Sequence, residues 1–249
     1  MNQKLATLIF YQTKKALTLI ELIFVIVIIG ILSAVIVPKF DRPTLIEAAH
    51  QVIFHIRYTQ HLAMMDNKFD NKDSTWFKER WQLKFSETVQ KKSNQSGSEQ
   101  VWAYTIFTGS DIHHDRNPRK WNIAKDPLNQ KKYLSGGHSG YIHLDDKSRN
   151  KDLALLPTYG IKRVEFSSSC SHYGSKKILF DKVGRPYYYY KSDKSSLASN
   201  PYKDMKLVKS QCIISLCLKL NTANKCDYSD KTTFIKIAIE PETGYTHIL

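Results

Sequence analysis

Residues 14–40 read KKALTLIELIFVIVIIGILSAVIVPKF, and the organisation of the whole chain follows from this stretch. Positions 17–37 hold 21 residues with one charge, Glu21. As a helix they rise about 30 Å, the thickness of a bilayer hydrocarbon core. Upstream lie Lys4, Lys14 and Lys15 and no acid. The positive-inside rule then predicts a cytoplasmic N-terminus and an extracytoplasmic segment from residue 39 to 249. A cleaved secretory signal fits less well. The apolar run exceeds the usual core of roughly 7–15 residues. A cut after Ala34 would also put Leu32 where a small residue is expected.

A carboxylate in an apolar helix is costly, so Glu21 marks a function and needs a partner. With the Lys14-Lys15-Ala16 junction one turn before it, the segment resembles the N-terminus of type IV prepilins and type II secretion pseudopilins. The resemblance implies a leader, residues 1–16, cut between Ala16 and Leu17 by a prepilin peptidase. Leu17 would then be N-methylated. Glu21 falls fifth in the mature chain and Pro38 twenty-second, the family's spacing for its acid and its proline. Ala16 stands where the family has Gly, and Leu17 where it has Phe. In a filament, Glu21 is expected to pair with a neighbouring subunit's N-terminal amine. That pairing offsets the cost of burying both charges and sets the stagger between subunits. On this reading residues 17–38 are the transmembrane half of a long helix, and 39–67 its amphipathic half.

Asp41, Pro43 and Thr44 mark a helix restart. Leu45, Ala49, Val52, Ile56 and Ala63 recur at helical spacing, widened by Ile46 and Ile53, with Glu47, His50, Arg57 and Gln60 between them. The helix is expected to end near Met65, to kink between Pro38 and Pro43, and to show His50, His55 and His61 on its exposed face. Residues 68–249 read as a β-rich extracytoplasmic domain. Trp81, Leu83 and Phe85 alternate with polar residues, and Val101 begins a second strand after the polar link QKKSNQSGSEQ at 90–100. Further strands are expected at 164–166, 177–180, 187–190, 213–220, 235–239 and 245–248, with turns at Gly184 and Gly244. The fold class is therefore α+β, a long N-terminal helix packed on an antiparallel Cys-containing sheet. QHLAMMDN (60–67), FDKVGRPYY (180–188) and IAIEPETGY (237–245) also resemble segments of the H-type minor pseudopilins and related minor pilins.

The four cysteines, Cys170, Cys212, Cys217 and Cys226, allow three pairings. Cys212 and Cys217 are five apart and face opposite sides of a regular strand, so they should not pair. Cys217 with Cys226 could staple NTANKCDYSD, leaving Cys170 with Cys212. A zinc site lacks paired CxxC spacing.

No GxSxG, HExxH, P-loop or GxGxxG pattern occurs, so no enzyme is expected, and no cofactor or metal. His113-His114-Asp115 reads as loop, and Asp126, Asp145, Asp146 and Asp181 make no dense acidic calcium loop. The chain has 37 Lys and Arg against 23 Asp and Glu, a net charge of +14. Only Lys4, Lys14, Lys15 and Glu21 precede residue 39, so the remainder carries 34 against 22, or +12. That charge attracts polyanions. Arg116, Arg119, Lys120, Lys131 and Lys132 beside Trp121 and Tyr133 are the candidate DNA contacts, Lys and Arg on phosphate and aromatics on bases. The expected partners are thus a prepilin peptidase, other pilin-like subunits and an inner-membrane assembly platform. The expected function is a minor pseudopilin or pilin subunit of a short envelope filament for type II secretion or pilus biogenesis, with a DNA-binding minor pilin of natural transformation as the alternative. The expected location is single-pass in the inner membrane.

Overall fold

The computed structural model describes residues 18–36, 44–72, 76, 79–91, 98–109, 118–138, 142–190 and 205–249. The chain divides into two compact units, residues 1–42 and 43–249. In the first, the described element is α1 (Leu19–Ile36).

The second unit opens with α2 (Thr44–Met65) and a long hairpin, β1 (Trp81–Lys91) and β2 (Ser98–Thr108). After loops come a 3₁₀ turn (Lys151–Leu153), the short α3 (Leu155–Tyr159), and β3 (Arg163–Phe166). Then follow β4 (Lys177–Phe180), β5 (Pro186–Tyr189), β6 (Met205–Leu207), β7 (Cys212–Cys217), β8 (Phe234–Ile239) and β9 (Thr246–Ile248). All pairings between these strands are antiparallel. The unit is α+β, as its patterning predicts.

The strands form two sheets where the sequence suggested one. The order in the first is β2-β1-β4-β5-β6, and in the second β3-β7-β8-β9. Only the second holds cysteines. The predicted loop at 90–100 is shorter than expected, because β1 and β2 stay in register out to the pair Lys91 and Ser98. The predicted kink between Pro38 and Pro43 lies outside the described residues, as does His113-His114-Asp115.

α2 contains neither Gly nor Pro, and its apolar stripe faces the core. Leu45, Ala49, Val52, Ile53, Ile56 and Ala63 are buried. They pack with Leu83, Phe85, Tyr104, Ile178 and Phe180 of the first sheet and with Val164, Ile214, Leu216, Ile237 and Ile239 of the second. Ile46, counted in the stripe, is exposed. His55 corrects the expectation in the other direction. It is 2 % exposed, and its Nδ1 lies 2.7 Å from the Tyr104 phenol oxygen. Position 55 follows Val52 by three residues and precedes Thr59 by four, so it shares the buried face. Burial lowers its pKa from 6.5 to about 4, only partly opposed by Asp126 and the Gln51 backbone.

Disulfides join Cys170 to Cys212 and Cys217 to Cys226. Both ends of β7 are thereby anchored. Closing loops of 42 and 9 residues stabilises by roughly 4 and roughly 2.5 kcal/mol in the chain-entropy account. The odd spacing within β7 puts Cys212 with Ile214 and Leu216 toward α2, and Cys217 on the opposite face. Glu165 of β3 holds the second disulfide loop, accepting from the Cys226 amide at 3.0 Å and the Tyr228 hydroxyl at 3.1 Å.

One side chain ties both sheets to the helix. The Gln60 amide donates to the carbonyl of Gly184 at 2.8 Å and to that of Thr243 at 2.8 Å. Gly184 sits in the β4–β5 turn and Thr243 in the β8–β9 turn. Gly184 and Gly244 have φ of 83° and 67°, a region that favours glycine. A Cβ on Gly244 would meet Gln60 Nε2 at 2.7 Å and the Gly184 carbonyl oxygen at 2.8 Å. Arg57, one turn earlier, donates to the Thr246 carbonyl at 2.6 Å.

Gly244→Ala should therefore lower unfolding stability by about 2–4 kcal/mol, and Gln60→Ala by about 1–2 kcal/mol. Urea unfolding of the protein checks both, and a Gly244→Ala protein as stable as the parent would remove the role given to this contact. A second outcome concerns acid. His55 has a depressed folded pKa, so its stabilising effect is present above 6.5 and is lost as pH falls toward 4, by up to about 3 kcal/mol. Melting temperatures of parent and His55→Gln across that window should converge as pH falls. Parallel curves would show that His55 does not titrate on unfolding.

Candidate functional site

α1 starts with a reciprocal cap. The Glu21 carboxylate accepts from the Thr18 amide at 2.9 Å and the Thr18 hydroxyl at 2.9 Å. The Glu21 amide in turn donates to the Thr18 hydroxyl oxygen at 3.3 Å. This is a capping box, the Thr-x-x-Glu pattern at the head of a helix. It was legible at positions 18–21, where reading Glu21 only as a membrane charge passes over it. Within the described chain the carboxylate accepts from one amide and one hydroxyl, both of Thr18.

The side chains that follow have no polar counterpart. Leu19, Ile20, Leu22, Ile23, Phe24, Val25 and their neighbours through Leu32 are between 45 and 78 % exposed. They cover every side of the helix, so there is no single apolar stripe. Covering them is favourable by on the order of 10 kcal/mol. The helix has 18 residues and a length of about 27 Å. Among the described residues no helix is long and apolar enough to cross a membrane. The predicted span of 17–37 begins and ends on residues outside that description. Ala16, Leu17 and Pro38 are outside it too.

The basic residues singled out between 116 and 132 are only partly brought together. Their loops are fastened to the edge of β2. Asn122 donates through its side chain to the Thr108 carbonyl at 3.0 Å and accepts the Arg119 amide at 2.6 Å. The Ala124 amide donates to the Ile106 carbonyl at 3.0 Å. Lys120 and Lys132 converge on one turn. Lys120 Nζ lies 3.4 Å from the Asp146 carboxylate, and Lys132 Nζ donates to the Lys147 carbonyl. Burial pushes the Asp146 carboxyl up, but the Ser148 hydroxyl and amide and the Lys120 ammonium outweigh it and hold the group below its ordinary value. Lys131 is exposed, Arg119 is half-buried, and Arg116 is outside the described residues. Trp121 is 57 % exposed.

Lys125 was missed in the sequence. Its Nζ stands 3.4 Å from the Tyr133 ring centroid, with that of Lys120 at 5.8 Å. Neither lies close to Tyr133 in sequence. The isolated bridge between Lys125 and Tyr133 creates the contact. The carboxylates weighed as calcium oxygens serve turns instead. Asp126 accepts the Leu128 amide and the Asn150 side chain, and Asp181 accepts two amides and the Arg185 guanidinium.

No family model, curated protein or solved structure matches the chain.

Proposed function

We propose that the chain is a minor pseudopilin or minor pilin: a non-enzymatic subunit, cut between Ala16 and Leu17 by a prepilin peptidase and drawn from the inner membrane into a short envelope filament. The observation that carries this is α1, a helix apolar on every side, with its large side chains exposed and one acid in its first turn. Such a surface is not stable in water and needs lipid or other apolar helices around it. Both environments are supplied in turn if the subunit waits in a bilayer and is then packed among like helices. Residues 17–38 would span the membrane with the leader in the cytoplasm, and the second unit would face the periplasm, where its two disulfides persist. The contacts of Gln60 add support. QHLAMMDN, FDKVGRPYY and IAIEPETGY, the segments that resemble minor pseudopilins, meet at that one amide.

Cleavage would place a new amine on Leu17, next to the Thr18 amide that Glu21 already caps. In the filament the carboxylate would exchange that local cap for a neighbour's amine. Glu21→Ala should insert in the membrane at least as well as the parent and be incorporated into filaments less. N-terminal mass analysis of protein taken from membranes should show a chain that begins at Leu17, methylated. A start at Met1 or at Val35 would sink the proposal.

The alternative is DNA capture in natural transformation. Trp121 and Lys131, both exposed on the loops between β2 and the 3₁₀ turn, favour it, since an aromatic face can stack on a base while a lysine holds phosphate. Trp121→Ala with Lys131→Ala should then weaken duplex binding and reduce the log-affinity against log-salt slope by about one. An unchanged slope, or no binding at low salt, leaves the assembly reading alone.

A further inference from the structure

The second unit carries methionines at the end of α2, Met64 and Met65, and in β6, Met205. Both disulfides are formed and no cysteine is free, so the thioethers are the sulfur left open to a mild oxidant. Met205 is half-buried. Met64 is 48 % exposed and Met65 71 %. Met64 follows Gln60 by one turn and shares its side of the helix. A Cβ placed on Gly184 would meet Gln60 Nε2 at 3.0 Å and Met64 Sδ at 3.1 Å. The sulfur and the amide therefore crowd the same point over the β4–β5 turn. Met65 stands about 100° further round α2.

The Gln60 amide holds both hairpins, through the Gly184 and Thr243 carbonyls. Both of its N–H donors are in use, so a new acceptor beside it is satisfied only at the expense of one of those bonds. Oxidation of the thioether supplies such an acceptor. The O–O bond of a peroxide breaks, one oxygen bonds to sulfur, and the other leaves as water. The sulfur loses two electrons and the peroxide gains them. An apolar sulfur packed on the turn becomes a polar sulfoxide. We propose that Met64 is an oxidation site, at which a peroxide-class oxidant forms the sulfoxide, draws the Gln60 amide from the turns and loosens both hairpins from α2. Met65 takes up oxygen as well, without this consequence. The site lies wholly within the second unit and is independent of how the chain is assembled.

The test treats the full chain, in a non-ionic detergent, with hydrogen peroxide. Met65→Leu leaves Met64 as the thioether of the pair, and Met64→Leu leaves Met65; both swaps nearly conserve volume. Peptide mass analysis should find the added oxygen on Met64 in the first variant and on Met65 in the second. Followed by urea unfolding, peroxide should raise the unfolding equilibrium constant of Met65→Leu about tenfold, the scale of a lost hydrogen bond or two. That of Met64→Leu should change by no more than about twofold, as for an ordinary surface change. In Met65→Leu combined with Gln60→Ala the effect of peroxide should also shrink to about twofold, since the bonds it disturbs are already gone. A Met64 that stays reduced while Met65 is oxidised, an equal loss in the two variants, or a loss undiminished without Gln60 would overturn the proposal.

Discussion

Two hairpin turns of this fold, β4–β5 and β8–β9, depend on a single carboxamide. Gln60 has two N–H donors, and each is used on a turn carbonyl from a different sheet. The turns can approach that closely only because Gly184 and Gly244 lack side chains where a Cβ would strike Gln60 and the opposing backbone. Nine residues of α2 are buried between and against the sheets. Burial supplies the bulk of the stabilisation but is non-directional. The Gln60 bonds, with that of Arg57 to Thr246, fix where along the helix each hairpin sits.

Several polar groups inside this unit are placed with the same economy. His55 is kept neutral by burial and lies against Tyr104, and Thr59 donates back to the His55 carbonyl at 2.7 Å. Asp181, Asp126 and Asp146 each accept amides of their own turns. Much of the positive charge is likewise engaged locally, over rings or on carbonyls. The net charge of +14 therefore overstates the cation surface that is open to a partner.

α1 poses the opposite case, a helix with apolar area and nothing polar to direct it. Its capping box begins the helix, and its side chains give no preferred face. A surface of that kind specifies an environment more than a partner, which is why it suits both a bilayer and a bundle of like helices. Glu21 is the one charged side chain among the described residues of this helix.

The local patterns were readable because their physical causes act over a few residues. Helical spacing from Leu45 to Ala63, alternation at Trp81, Leu83 and Phe85, glycine at Gly184 and Gly244, and the odd separation of Cys212 and Cys217 each determined an element, a turn or a facing. Polarity misleads where spacing does not: it placed His55 outside, whereas its spacing from Val52 and Thr59 and its packing against Tyr104 place it inside. What joins distant segments was decided by tertiary structure alone: the division into two sheets, the meeting of both turns at Gln60, and Lys176 over Trp102. Their members lie tens of residues apart. No local preference encodes such proximity, because it exists only once α2 and the strands have buried a common core.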